Sequence, residues 1–164
     1  MASPVTIADP PQVHRLAPTL RRCWFQLNQV FRRRISEHTC TPDQFTVLRW
    51  LVEHPTDVTQ RILAELMASD ENTIASLVSR MEGAKLIART NHELDGRCNV
   101  LVATTQGQEV YKRVKPIAMA LQNQLMASIP ADERAAFLVN LGRIADAGRE
   151  MALVERAAQR ARRH

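Results

Sequence analysis

The chain has 164 residues, of which 45% are hydrophobic and only 4% aromatic, and its formal net charge is +5. This length allows one domain, or one domain with a dimerisation arm, and five Gly and eight Pro are too few for a low-complexity protein. No apolar run approaches the roughly 18 residues that a membrane span needs, and the N-terminus lacks a basic segment followed by an apolar one. We therefore expect a helix-rich globular protein of the cytoplasm that has no membrane partner.

The N-terminal part of the chain carries a hydrophobic stripe at helical spacing. The stripe continues for about seven turns between residues 12 and 38. Its members are Val13, Leu16, Leu20, Cys23, Trp24, Leu27, Phe31 and Ile35. Residues 1–11 come before it and are expected to form a disordered arm. Because so long a helix cannot bury its stripe on a small domain alone, we expect residues 12–40 to pack lengthwise against other long helices.

A second helix is well marked at both ends. Its start is the segment Thr41-Pro42-Asp43-Gln44, which combines a capping box with Pro at the first helical position and an acid in the first turn. Its end is predicted before Pro55, since the residue that precedes a proline is pushed out of helical geometry.

A helix, a turn and another helix are predicted from Thr59 onward. Thr59 is placed to cap the first helix, TQRILAELMA, and the second helix is expected to begin at Ser69 or Asp70 and to continue to Leu86. The apolar face of the second helix holds Ile74, Leu77, Val78 and Met81. Its opposite face holds Asn72, Thr73, Ser76 and Arg80. Such side chains bind bases or phosphates in a major groove, although a merely solvated surface helix explains the pattern equally well.

The next segment is predicted to be a two-stranded β-ribbon. IART and VLVAT are short β-rich runs, and the polar stretch between them contains the strong turn dipeptide Asp95-Gly96. Arg97 therefore lies one residue from the turn, with Asp95 close enough to orient it. An Arg on a protruding loop is usually a solvated charge, but beside a DNA-reading helix it is placed to enter the flanking minor groove.

The C-terminal third is predicted to form two more helices. Thr104 or Thr105 can cap the first of them, and Pro116 falls inside it and should kink it. The stripe of this helix holds Val110, Val114, Ile117, Leu121 and Leu125. After Pro130 a second stripe holds Phe137, Leu141, Ile144, Gly148, Met151 and Val154. The spacing alternates between three and four, which is typical of helices that pack lengthwise.

These blocks together resemble the MarR (multiple antibiotic resistance regulator) family of winged-helix transcription factors. The resemblance rests on TPDQFTVLRWLVEHP at 41–55, the helix pair, the wing with Asp95-Gly96-Arg97, and TTQG at 104–107. It implies a mainly α fold with a small β-wing (α+β), in which a winged helix-turn-helix DNA-binding domain at 41–104 lies between dimerisation helices at 12–40 and 105–164. The chain departs from the family at Lys85, where Gly is common, so we expect the recognition helix to end without the usual left-handed residue.

We expect the DNA contacts to come from the first helix of the pair, the outer face of the second helix and the wing. The candidates are Thr59, Gln60, Arg61, Ser69, Asn72, Thr73, Ser76, Arg80, Arg89, Asp95 and Arg97. Residues 41–104 hold six Lys or Arg against nine Asp or Glu. Overall basicity therefore cannot explain phosphate binding by this head, which must depend on a few placed side chains, and its salt dependence should be gentle.

A two-fold homodimer in which the N- and C-terminal helices of both subunits interleave would bury the long stripes, and the resemblance implies the same arrangement. A monomeric helical bundle is the alternative. Two recognition helices about 34 Å apart would read double-stranded DNA as an inverted repeat with half-site centres roughly 10 bp apart. A dimer bound near a promoter blocks polymerase, so repression is the expected default and activation is the alternative.

The resemblance also implies a small-molecule effector, often a phenol or an aromatic carboxylate, bound where the dimerisation helices meet the head. The residues that could bind it are His14, Arg22, Trp24, Phe25 and Arg49. An Arg beside aromatic rings suits a planar anion. The alternative is that Arg49 pairs with Glu53 and that the aromatic side chains belong to the core.

The cysteines suggest a reducing compartment, because Cys23, Cys40 and Cys98 show no CxxC or zinc-finger spacing. One branch of the family senses organic hydroperoxides through a cysteine near its N-terminal helix, which makes a redox-sensing role of Cys23 an alternative. Against this role, Tyr111 is the only tyrosine, and the tyrosines that this branch uses to hold its thiolate are absent.

Other kinds of site find little support in the sequence. His38 and Cys40 are two residues apart and His54 follows, but a His-x-Cys pair is a weak metal pattern, and we expect neither a metal nor a cofactor. The chain has no nucleophile elbow, P-loop or dinucleotide fingerprint, so we expect no enzyme. A winged-helix protein-interaction module that does not read DNA sequence is the remaining alternative.

Overall fold

The structure is a computed structural model that describes residues 16–54, 58–91 and 99–162. Its elements in chain order are α1 (Leu16–Arg34), α2 (Pro42–Glu53), α3 (Gln60–Leu66), α4 (Glu71–Gly83), β1 (Ile87–Asn91), β2 (Asn99–Ala103), α5 (Thr105–Met126) and α6 (Arg134–Ala161). The chain divides into two compact units, of which the first ends at Ala118 and the second begins at Met119. The predicted fold, mainly α with a small β-wing, is confirmed.

The first unit has a hydrophobic core to which α2, α3, α4, the sheet and α5 all contribute. Its least exposed large side chains are Ile35, Val47, Leu48, Leu63, Ile74, Val78, Met81 and Val114. The predicted apolar face of α4 is the buried one, because all four of its members are buried. The polar face of α4 is thereby turned to solvent.

The sheet consists of two antiparallel strands, in which Ile87 is opposite Ala103 and Arg89 is opposite Leu101. The amide of Leu101 also donates a 2.8 Å hydrogen bond to the carbonyl of Val58. This bond ties the segment before α3 to the strand, so the sheet and the helix pair are held as one head.

The helix starts follow the sequence signals. The amide of Gln44 donates to the Thr41 hydroxyl, and the Thr41 amide donates to the Gln44 side chain, which is the expected capping box. Thr59 caps α3 by accepting from the amide of Ile62. Asp70 rather than Ser69 caps α4.

Helix α5 begins in close contact with the entry to β1. Thr104 rather than Thr105 caps α5, because its hydroxyl accepts from the amide of Gly107 at 3.0 Å while donating to the carbonyl of Lys85 at 2.6 Å. A Cβ at Gly107 would lie 2.0 Å from the carbonyl oxygen of Leu86. Only glycine therefore allows this approach.

Two helices of the head end in a left-handed residue that is not glycine. Helix α4 was expected to continue to Leu86 and to end without such a residue; both expectations were wrong. It ends at Gly83, and Lys85 has φ 56°. The cause is the bond from the amide of Leu86 to the carbonyl of Met81, which closes the helix only if Lys85 turns left-handed. Ala68, with φ 48°, closes α3 in the same manner.

Helix α1 ends at Arg34, before the end of the predicted 12–40, and among the described residues only the C-terminal end of its stripe is buried. Phe31 and, just beyond the helix, Ile35 are buried, and the Phe31 ring meets Phe45 of α2 edge-on at 5.3 Å. Leu16, Leu20, Cys23, Trp24 and Leu27 are exposed. The C-terminal end of the stripe thus packs into the core of the first unit, whereas its residues from Leu16 to Leu27 are exposed.

The long C-terminal helices include a large uncovered apolar surface. Pro116 lies inside α5, as predicted. Helix α6 has 28 residues, and none of them is buried. Its exposed hydrophobic residues are Phe137, Leu138, Val139, Leu141, Ile144, Met151, Leu153 and Val154. None of the helices in the described ranges is both long and apolar enough to cross a membrane.

Candidate nucleic-acid interface

The exposed face of α4 carries the polar residues that the sequence placed there. Asn72, Thr73, Ser76 and Arg80 are all exposed, opposite the buried face. Ser79 is exposed on the same side, seven residues after Asn72; sequence reasoning missed it, although the helical period would have found it. Glu71 is also exposed, at the start of the helix. The arrangement is a helix surface of short side chains and one Arg.

Thr73 has a structural task at the start of α4. Its amide donates to Asp70 Oδ1 at 2.9 Å, and its hydroxyl donates to Asp70 Oδ2 at 2.6 Å. The side-chain bond from Thr73, followed by the bond from its backbone, lowers the pKa of Asp70 from its ordinary value. Asp70 is therefore a charged cap, and the hydroxyl of Thr73 is occupied with it. Arg80 Nε donates to the carbonyl of Ser76 at 3.3 Å, which holds its side chain along the helix.

The candidates before and within α3 have different surroundings. The hydroxyl of Thr59 accepts the cap bond, and Arg61 is an exposed residue whose guanidinium lies 3.2 Å from Glu65. Gln60 is half-buried, and its Oε1 accepts from Arg89 Nη2 at 3.2 Å. Two of the predicted contacts, Gln60 and Arg89, are thus bonded to each other.

The remaining DNA candidates lie in the α3–α4 turn and in the wing. Ser69 is half-buried in that turn, and its amide donates to the carbonyl of Ala64. Asp95 and Arg97 lie outside the described residues, so the wing tip remains a prediction.

The structure does not bring the four described effector candidates together in one chain. Arg22, Trp24 and Phe25 are exposed on α1, and His14 lies outside the described residues. Arg49 is exposed and forms a 3.0 Å ion pair with Glu53, as the alternative expected. Within residues 16–54, no hydrogen bond, ion pair or ring contact joins Arg49 to the three α1 residues.

Among the described residues, each unit has a cavity that could accept a small molecule. The first unit has a small polar cavity of about 70 Å³ lined by Glu37, His38, Thr39, Val110, Arg113 and Val114. The second unit has an open groove of about 510 Å³ between residues 128 and 140, lined in part by Phe137 and Glu133. Neither cavity includes a predicted effector residue.

Sequence reasoning missed a polar cluster that joins α2 to α5. The hydroxyl of Tyr111 donates to Glu53 Oε1, and Lys115 Nζ lies 3.0 Å from the same oxygen. The hydroxyl of Tyr111, the ammonium of Lys115 and the guanidinium of Arg49 lower the pKa of Glu53 from 4.5 to about 2. The Tyr111 ring is buried and stacks on Phe45 at 5.7 Å. Since Glu53 and Tyr111 are 58 residues apart, no local pattern could reveal their contact.

The described cysteines and histidines lie in separate surroundings. Burial raises the pKa of the Cys40 thiol to about 11, which keeps it protonated, whereas Cys23 is exposed and Cys98 lies outside the described residues. No group of three or more His, Cys, Asp or Glu within residues 16–54, 58–91 and 99–162 could hold a metal ion. His38 lines the small cavity, and the ring of His54 lies 5.3 Å from that of Trp50.

Comparisons with known proteins agree with this geometry. A model of the MarR family matches residues 38–97. The transcriptional regulator HosA of Escherichia coli O157:H7 is 26% identical over 126 residues, which cover 73% of this chain and 93% of HosA.

Solved structures extend the likeness to most of the chain. The PcaV transcriptional regulator from Streptomyces coelicolor, solved with its natural ligand, has a TM-score of 0.72 and 30% identity, covering 87% of this chain and 99% of PcaV. The transcriptional repressor CouR, known from Rhodococcus jostii RHA1, was solved on a 23-mer DNA duplex. It has a TM-score of 0.70 and 27% identity, covering 79% of this chain and 92% of CouR. These relatives are regulators rather than enzymes. The chain therefore belongs to the MarR family of winged-helix transcriptional regulators.

Proposed function

We propose that this transcriptional regulator is a homodimeric repressor that reads an inverted-repeat operator through α4 and is released by a small aromatic acid. The observation that carries the proposal is the exposed polar face of α4, which lies opposite the buried Ile74 and Met81. A helix fixed to its core on one side can offer the other to a major groove. CouR, which is named a repressor and was solved on duplex DNA, supports both the mode of binding and the sign of regulation.

The residues of the head divide by the contacts they can make. On α4, Asn72 suits adenine, Arg80 suits guanine, and Ser76 suits either a base or a phosphate. Arg61 is placed for a phosphate, because its side chain is 72% exposed and its partner among the described residues, Glu65, is 58% exposed. Arg97, oriented by Asp95, would enter the minor groove. Thr59, Ser69 and Thr73 would act chiefly by fixing the ends of the helices.

The partner that we propose for the uncovered apolar surface is a second copy of this chain. Helix α6 exposes large hydrophobic side chains from Phe137 to Val154, including Ile144 and Met151. A monomer rarely leaves so extended an apolar surface in water. The three-and-four spacing of the stripe suits lengthwise packing with an identical helix. The exposed half of α1 would join the same interface, and the dimer would act on DNA in the cytoplasm.

The effector would bind where a second copy completes a site that one chain leaves open. Arg22, Trp24 and Phe25 are exposed on α1, and they supply the charge and ring surface that a planar anion needs. His14 and Arg49 remain candidates for the same site. PcaV was solved with its natural ligand, which supports a ligand-responsive regulator. Ligand and operator would each favour a different spacing of the two heads, so each would weaken the other's binding.

The DNA proposal is tested by titrating the dimer against the promoter DNA upstream of its own gene. Asn72→Ala and Arg97→Ala should each weaken binding about tenfold or more, whereas Thr39→Ala, an exposed loop residue outside the proposed interface, should leave it unchanged. In a plot of the logarithm of the association constant against the logarithm of the salt concentration, the slope should be shallower than about −7. Such a slope corresponds to fewer than about eight phosphates neutralised per dimer. If both variants bind as tightly as the wild type, the repressor mechanism fails and the protein-interaction module becomes the better account.

The effector class is tested with benzoate and hydroxybenzoates at millimolar concentration, with cyclohexanecarboxylate as the non-aromatic control. The aromatic acids should raise the melting temperature and lower operator affinity, and the control acid should do neither. Phe25→Ala should reduce this response more than Gln26→Ala, its exposed neighbour. Unchanged melting and unchanged DNA affinity with every aromatic acid would show that the ligand class is wrong.

A further inference from the structure

Arg89 connects three elements of the head through two separate hydrogen bonds. Its Nε lies 3.0 Å from Oε1 of Glu82 in the last turn of α4, and its Nη2 donates at 3.2 Å to Oε1 of Gln60, the first residue of α3. Arg89 itself belongs to β1. The planar guanidinium, with donors in a fixed fork, is suited to holding two acceptors at a set angle.

The strand directs this side chain back toward the protein. Arg89 pairs in register with Leu101, so both side chains lie on the same face of the sheet, and Leu101 is buried. The Arg89 side chain is 38% exposed, whereas that of Arg61, another Arg of the head in an ion pair, is 72% exposed. A side chain held in this manner is poorly placed to reach a phosphate.

Glu82 has an electrostatic reason to need Arg89. It is the second-to-last residue of α4, where a carboxylate meets the negative end of the helix dipole. A negative charge at that position is unfavourable unless a cation offsets it. Arg89 supplies this cation from another element, so the pair fastens the end of α4 to β1.

We infer that Arg89 is a positioning residue: with Glu82 and Gln60 it fixes α3, α4 and β1 relative to one another, and so sets the angle at which α4 and the wing meet DNA. The inference rests on the proposed DNA-reading function and changes the role expected for Arg89, which was that of a DNA contact. It also gives Gln60 the role of an anchor for the start of α3. We call these three residues the Arg89 bracket.

The direction in which one substitution changes DNA affinity distinguishes a positioning role of Arg89 from a direct DNA contact. Glu82→Gln removes a negative charge from the head, so if Arg89 binds phosphate, freeing it should tighten DNA binding. If the bracket positions α4, the same substitution should weaken operator binding about tenfold. Glu65→Gln is the matched control, because it frees Arg61, whose ion pair lies within a single helix; it should leave operator binding unchanged or tighten it.

A second readout distinguishes lost geometry from lost charge. Arg89→Gln should weaken binding to the operator while leaving binding to unrelated duplex DNA and the salt slope unchanged. The loss of a phosphate contact would instead weaken both DNAs equally and reduce the slope by about 0.9 per subunit. Equal losses on both DNAs, or tighter binding by Glu82→Gln, overturn the inference.

The outcomes remain separate from those that test the function itself. If the wild type binds its operator and Asn72→Ala does not, the proposed function stands and the Arg89 and Glu82 variants alone decide the bracket. If the wild type fails to distinguish its promoter from unrelated DNA, the proposed function falls first. Should Arg89→Gln fail to fold by circular dichroism, Glu82→Gln decides the question, since it removes the charge that holds Arg89 but keeps the size of the side chain.

Discussion

The reading head and the C-terminal helix treat the same kinds of side chain in opposite ways. In α4, Val78 and Met81 are 0% exposed, whereas in α6 Val154 and Met151 are 69% and 65% exposed. The head therefore completes its core within one chain, and α6 does not. The difference indicates that a single chain determines how one head is built, while in the proposed dimer the distance between two heads would depend on surfaces that a single chain leaves open.

The largest expected effect comes from charging the stripe of α6. Leu141→Glu combined with Ile144→Glu should dissociate the proposed dimer and lower operator affinity about a thousandfold. In a dimer, binding of one head raises the effective concentration of the second head at its half-site, and a monomer lacks this gain. Sedimentation velocity and fluorescence anisotropy measure the two effects. Arg149→Glu, which adds a carboxylate to α6 outside the predicted stripe, is the matched control and should remain dimeric. A double variant that sediments as a dimer would contradict the proposed interface.

The next largest effect tests how tightly the first turn of α5 packs in the head. Gly107→Ala places a Cβ 2.0 Å from a backbone oxygen of Leu86, so either α5 or the backbone at Leu86, just before β1, must move. We expect the variant to lose about 3 kcal/mol of unfolding free energy in urea denaturation. Gly83→Ala is the control, because nothing lies within 4 Å of its added Cβ. If both variants are equally stable, the first turn of α5 is not packed as described.

The polar cluster between α2 and α5 should give a smaller effect with its own pH signature. Tyr111→Phe removes a hydrogen bond to the Glu53 carboxylate and should cost about 2 kcal/mol at pH 7. Glu109→Gln, in an exposed pair on the same helix, should have no measurable effect.

The pH dependence follows from the direction of the Glu53 shift. Its pKa falls from 4.5 to about 2 on folding, so its contribution to stability is fully present above pH 4.5 and is lost as the pH falls toward 2. The stability gap between the wild type and Glu53→Gln should therefore be constant from pH 5 to 8 and should close toward pH 2. A stability gap that widens on acidification would show that folding raises the pKa of Glu53 instead of lowering it.

Most of the head could be predicted because its signals are local. The caps at Thr41 and Thr59 and the two faces of α4 depend on residues within one helical turn or period of each other, and the structure confirms them. The contact of Tyr111 with Glu53 could not be predicted, because it forms only after α5 has packed against α2. The same holds for Arg89 of β1, whose partners come from two helices, α3 and α4.

The smallest effect concerns Lys85. Because Lys stands where Gly is common, no left-handed residue was expected there, but the hydrogen bonds that end α4 impose one. A Lys at φ 56° carries the steric cost of a left-handed residue, which Gly does not. Lys85→Gly should therefore raise the unfolding free energy by about 1 kcal/mol. Ala68→Gly should act in the same direction at the end of α3, where φ is 48°. Chemical denaturation measures both. A loss of stability in both variants would mean that the flexibility of Gly in the unfolded chain outweighs the relief of strain.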